Sequence, residues 1–293
     1  MHAQSIMTLL TAVEFLAYAG AFFLFRRRRL QGSLPALGHY LILHLTWAPI
    51  CFLLLSGWLP ITNDLSGLIY FFASWSVYIA SAAFLFLICQ EIYRSILTPL
   101  PGLTRLGVLA FRWAAVISVI VTFSTLSYSH FSLFMISEFA LGLMRAVSLI
   151  EICLLAFICL SMNALRLSAR DRAFGIALGM GLMATNDLVA SMLFAKTSSM
   201  TAPIQFVYES VLLIALGIWG VYCYQPEPVR QPVVLPMKSA LYRWNEIANA
   251  LGRKDTQIVL QQPITNPSFF LSDVEKIVDE ALERNLMPTG TDR

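Results

Sequence analysis

Long uninterrupted apolar runs alternate along the chain with short polar breaks, a pattern that fits neither the one-sided stripe of a soluble helix nor the alternation of a half-buried strand. A bilayer core of about 30 Å needs about 20 helical residues. Seven runs reach that size: 6–25, 37–58, 67–93, 106–127, 134–164, 173–195 and 203–224. A membrane barrel would instead show alternating segments of about ten residues. Most of the breaks are short and carry turn formers, among them Gly32-Ser33-Leu34-Pro35 and Pro99-Leu100-Pro101-Gly102, so neighbouring helices are expected to run antiparallel. The expected fold is all-α and polytopic: a seven-transmembrane-helix bundle over residues 1–224, followed by a cytosolic tail over 225–293.

Cations at the breaks give the expected orientation. Arg26, Arg27, Arg28, Arg29, Arg94, Arg105, Arg166, Arg170 and Arg172 fall on one side and only Lys196 on the other. Cytoplasmic connectors carry the excess of Lys and Arg, so the N-terminus is expected outside and the C-terminus inside, in an inner (cytoplasmic) membrane. Ala17-Tyr18-Ala19 mimics a signal-peptide cleavage site, but no Lys or Arg precedes it, so the first run is read as a retained helix.

Composition agrees with the pattern. The chain is 58% hydrophobic and 13% charged, against roughly 45–50% and 25% in ordinary soluble domains. A water-soluble globule is excluded, and the bilayer is the first partner. No dense basic face exists for nucleic acid. All five cysteines lie within apolar runs, which argues against a disulfide framework.

Charges inside the runs are the candidate chemistry, because an ionisable side chain in a membrane helix is costly and by default marks a site. Glu14, Arg112, Glu138, Arg145, Glu151, Asp187 and Glu209 are these charges. With a rise of about 1.5 Å per residue, Glu14, Arg145, Asp187 and Glu209 fall about 9 to 15 Å below the outer ends of their helices, in one layer. Glu151 and Glu138 are poorly placed on their own helix to serve Arg145, so Asp187 or Glu209 is its expected partner, with Ser74, Ser76 and Tyr78 as neutral neighbours. The acids outnumber the arginine, so one carboxyl is expected to hold a proton or meet a cation. Such a layer either fixes helix register or forms a ligand or proton site. Ligand-binding or coupling candidates are therefore Glu14, Tyr78, Arg145, Glu151, Asp187 and Glu209. Glu91 and Arg94, three apart on one face, are expected to pair, and with Arg112 they form a candidate switch on the cytosolic side. Gly175, Gly179 and Gly181 in the sixth run permit close helix approach, expected within the monomer.

Several chemistries lack their residues. All four lysines lie in a loop or the tail, which removes a retinal Schiff base. The four histidines, His2, His39, His44 and His130, do not fall on facing helices at matching depth, which removes a paired-His haem and a multi-histidine zinc site. There is no Gly-x-Ser-x-Gly elbow. No catalytic residue, cofactor or metal is expected, and the chain is not read as an enzyme.

Pro226, Pro228, Pro232 and Pro236 form an extended spacer after the seventh run. Residues 239–251 then carry an apolar stripe, Leu241, Trp244, Ile247, Ala248 and Leu251, which suits either the inner leaflet or the underside of the bundle. A capping box at Ser272-Asp273-Val274-Glu275 opens a second helix with an acidic outer face, fit for docking a cytosolic protein. The functional expectation is a seven-helix sensor or receptor-like module with a polar pocket for an unknown small ligand in its outer half. The alternatives are a small proton-coupled transporter and a structural subunit of a membrane complex.

Overall fold

The described part of each of the seven apolar runs lies on one helix. The structure, a computed structural model, describes residues 2–55, 63–125, 134–162, 165, 167–197, 202–226 and 240–252. Its helices are α1 (His2–Arg27), α2 (Pro35–Leu55), α3 (Asn63–Ile96), α4 (Pro101–Thr125), α5 (Phe134–Ser161), α6 (Arg172–Thr197), α7 (Ala202–Tyr224) and α8 (Ala240–Gly252), with one 3₁₀ turn at Leu30–Gly32. Six of them, α2 to α7, are long and apolar enough to cross a membrane. The chain is thus a polytopic helical membrane protein, and α1 adds a further helix of 26 residues packed beside α2 and α7. The expected second tail helix, at Ser272 onward, lies outside the described residues.

The packing order defines a ring. α1 packs on α2, α2 on α3, α3 on α5, α5 on α6, α6 on α7, and α7 closes the circle on α1, while α3 also touches α6 across it. α4 packs on α3 and α5 outside this ring. Its position explains why Leu109, Trp113, Val116, Ile117, Ile120 and Val121 are exposed. An apolar face of that extent is at home in lipid.

Burial is uneven along the ring. The bulkiest side chains that are almost wholly buried, among them Phe25, Leu37, Leu41, Leu85, Ile88, Ile92, Ile158, Ile176 and Trp219, come from the helix halves nearest the arginine-rich end. No described residue of α2 beyond Leu41, of α3 before Ser81 or of α7 before Ala215 is buried. The ring is therefore sealed by tight packing at its arginine-rich end and is looser at the other.

Small residues allow that seal. Gly179 sits against the indole of Trp219, and a Cβ there would collide with its Nε1. The indole N–H instead donates to the Ile176 carbonyl at 3.0 Å. Gly175 faces Tyr222 and Gly181 faces Leu155, so the glycines of α6 join α6 to α7 and α5 inside one chain. Local anchors hold the arginine-rich end. Glu91 of α3 accepts the Ala36 N–H of α2 at 3.0 and 3.2 Å, Tyr222 donates to the Ala169 carbonyl at 2.8 Å, and the Arg28 guanidinium lies 5.1 Å from the centre of the Tyr224 ring.

By its contacts the chain divides into Met1–Ala250 and Leu251–Arg293, so α8, which composition assigns to the tail, groups with the bundle. Asn245 of α8 accepts the N–H groups of Gly102 and Leu103 at 3.0 and 3.3 Å, satisfying two open donors at the start of α4.

Candidate functional site: a polar layer inside the ring

Side chains on facing helices meet above the sealed core. Glu14 of α1 and Glu209 of α7 lie close enough for their carboxyl groups to act on each other electrostatically. Glu209 Oε2 is buried and has no donor. Carboxylates carry only acceptors, so two facing carboxyl groups form a hydrogen bond only where one of them holds a proton. On the neighbouring residue of α7, Tyr208 Oη donates to Asp187 Oδ1 of α6 at 2.7 Å, and Asn186 Nδ2 donates to the Tyr208 carbonyl at 3.0 Å. Adjacent residues of α7 thereby reach α1 on one side and α6 on the other.

The layer continues toward the core through aromatic rings. Tyr18, one turn below Glu14 on α1, is buried and stacks on His44 of α2, with ring centres 4.7 Å apart and planes 4° from parallel. His44 Nε2 pairs with Ser81 Oγ of α3 at 3.1 Å. Tyr40, one turn from His44, is also buried; its hydroxyl faces that of Tyr18, and its ring meets Trp219 edge-on at 5.8 Å. This polar series thus ends on the residue that seals the core.

Across the ring, Glu151 of α5 is 2% exposed, and its Oε1 has no hydrogen-bond partner. It interacts electrostatically with Asp187 and Tyr40. Tyr78 of α3 feels both Asp187 and Arg145. Glu14, Tyr78, Glu151, Asp187 and Glu209 therefore face one interior.

Arg145 departs from expectation. Its Nη2 donates to the Ser191 carbonyl of α6 at 3.3 Å, its residue is exposed, and no ion pair to Asp187 or Glu209 forms among the described residues. A helix carbonyl retains a second lone pair and can serve a guanidinium without an acid. Ser74 and Ser76, expected to be neutral neighbours, instead bond back to the carbonyls of Phe71 and Phe72 on their own helix. At the arginine-rich end, Glu91 does not form the expected ion pair with Arg94: its carboxylate is taken by the Ala36 N–H at the start of α2, and Arg94 and Arg112 are exposed. Arg94 still acts electrostatically on Glu91, but no ion pair or hydrogen bond joins Glu91, Arg94 and Arg112 among the described residues.

Sequence reasoning missed Tyr18, Tyr40, His44, Ser81 and Tyr208 as site residues. A signal was present: Glu14 with Tyr18 and Tyr40 with His44 are spaced four apart, and Tyr78 with Ser81 three apart, which puts two polar tips on one helix face.

A cleft of ≈ 250 Å³ opens between α6 and α7, lined by Asn186, Val189, Ala190, Leu193, Ile204, Val207 and Tyr208. Its wall is almost wholly apolar, so it differs from the polar pocket expected at this depth, although Tyr208 borders both. The chain matches no known protein family, and no curated protein or solved structure resembles it.

Proposed function

We propose that the chain is a seven-helix membrane sensor module, with its N-terminus outside and its arginine-rich end in the cytoplasm. Its stimulus acts on the polar layer, and α8 and the tail carry the response. The observation that supports this reading best is the pair of adjacent contacts on α7. Glu209 meets Glu14 of α1 and Tyr208 meets Asp187 of α6, so a change of charge at either acid alters how three helices sit together. The layer holds four acids against one guanidinium, and that arginine bonds to a carbonyl. Positive charge is what such a layer takes up, and the proton is the smallest carrier of it. The packed half below the layer, filled by Phe25, Leu41, Ile88, Ile158 and Trp219, favours a responding module over an open conduit.

A second reading has its own support. Glu151 and Asp187 extend the acids from the α1–α7 contact across to α5, a series that suits a proton-coupled carrier. Reconstitution into vesicles separates the two. A pH step on the N-terminal side should change hydrogen–deuterium exchange in residues 240–252 with no change in luminal pH, and Glu209→Gln should abolish the response. Proton flux that Glu209→Gln removes, with exchange in 240–252 unaltered, would overturn the sensor reading in favour of the carrier.

A further inference from the structure

Two faces of α8 have different fates. Asn245, Ala248 and Asn249 form the docked face: Asn245 accepts from Gly102 and Leu103 at the start of α4, Ala248 is buried, and a Cβ at Gly102 would strike the Asn245 carbonyl and lie 2.8 Å from Asn249 Oδ1. About a third of a turn away around the axis lies a second face, Trp244 and Ile247. These are 58% and 48% exposed, and Arg243 beside them is exposed as well. The apolar stripe left open whether this helix faces the inner leaflet or the bundle; the protein buries the asparagine face, because the first turn of α4 has N–H groups that need acceptors.

We propose that the Trp244–Ile247 face of α8 lies in the interfacial region of the bilayer, with Arg243 reaching anionic lipid headgroups. Position carries the argument. Asn245 is hydrogen-bonded to the second and third residues of α4, whose membrane-crossing stretch runs Pro101–Ser124, so α8 is fixed at the level where that stretch begins. Helices bound at that level present apolar side chains to the acyl boundary and basic ones to headgroups, and Trp is favoured there for its amphipathic ring. Charge points the same way: Arg105, one turn into α4, is exposed and adds a second cation near the clamp. The asparagine clamp thus sets the rotation of α8, turning its apolar edge from protein to lipid.

The test uses the full chain reconstituted in phosphatidylcholine vesicles with and without phosphatidylglycerol. There are 6 tryptophans, so the difference in emission between wild type and Trp244→Phe isolates Trp244. Lipid brominated near the top of its acyl chains should remove most of that difference, while aqueous iodide should remove little. Phosphatidylglycerol should deepen the lipid quenching, and Arg243→Gln should cancel that increment. Asn245→Ala, which frees the rotation of α8, should raise quenching by iodide. Strong iodide quenching of Trp244 in the wild type would overturn the proposal in favour of a water-facing edge. Protection from both quenchers would overturn it in favour of cover by protein, either another segment of this chain or a second copy.

Discussion

Tyr208→Phe removes a single hydroxyl from the interior and leaves Asp187 Oδ1 without the donor that it holds at 2.7 Å. The ring is kept, so packing against the α6–α7 cleft changes little. A hydrogen bond to a carboxylate contributes about 1.5–3 kcal/mol, and an acceptor stranded in a buried place costs about 1–3 kcal/mol. The expected loss is therefore about 2 kcal/mol. Asp187→Asn keeps an acceptor oxygen for the phenol and relieves the like charge of Glu151, so on its own it should cost under about 1 kcal/mol. In the Asn background, Tyr208→Phe should cost about 1 kcal/mol less than in the wild type, a coupling that a double-mutant cycle reads directly. Equilibrium unfolding in mixed micelles, followed by helical circular dichroism, is the assay. A Tyr208→Phe variant within about 0.5 kcal/mol of wild type, or strictly additive losses in the cycle, would refute the assignment of this contact as the α6–α7 tie.

Three further predictions rest on separate contacts. Gly179→Ala forces its Cβ into the Trp219 indole that donates to the Ile176 carbonyl, and should cost about 1–3 kcal/mol in unfolding free energy with a change in Trp fluorescence. Glu91→Ala removes the acceptor for the Ala36 N–H and should cost about 0.5–2 kcal/mol. Arg94→Ala should stay within about 0.5 kcal/mol of wild type, and equal losses for the two would restore the ion pair. Arg145→Met, which gives up a bond to the Ser191 carbonyl and breaks no ion pair, should cost about 1 kcal/mol. Neither Asp187→Asn nor Glu209→Gln should rescue it, and rescue in thermal unfolding would show that an acid is its partner after all.

The helices were legible in the sequence because a membrane helix needs only length and apolarity: each run from 6–25 to 203–224 falls on a helix, and six of these, α2 to α7, are long and apolar enough to cross a membrane. The fixed rise of a helix grouped Glu14, Asp187 and Glu209, and neighbouring residues of α7 do reach toward Glu14 and Asp187. What touches what was not legible, since it depends on the closure of the ring by α1 against α7, helices that lie far apart in the chain. Arg145 shows the limit most clearly. Charge pairing predicted an acid, but the carbonyl of Ser191 was nearer, and backbone acceptors leave no trace in a sequence. Tyr18 and Tyr208 were not legible because Tyr is common at membrane interfaces, and nothing local distinguishes either from such a residue until its partner is known. For α8, periodicity identified the helix but not its docked face, which is set by the unsatisfied N–H groups of α4.

The sensor reading proposed above rests on the Glu14–Glu209 pair taking up a proton, and infrared difference spectroscopy of the reconstituted protein tests it most directly. The account predicts a protonated-carboxyl C=O band at neutral pH that shifts in deuterium oxide and is lost in both Glu14→Gln and Glu209→Gln, while Glu138→Gln, at an exposed position of α5, leaves it unchanged. A spectrum with no such band, or a band that persists in both variants, would contradict it.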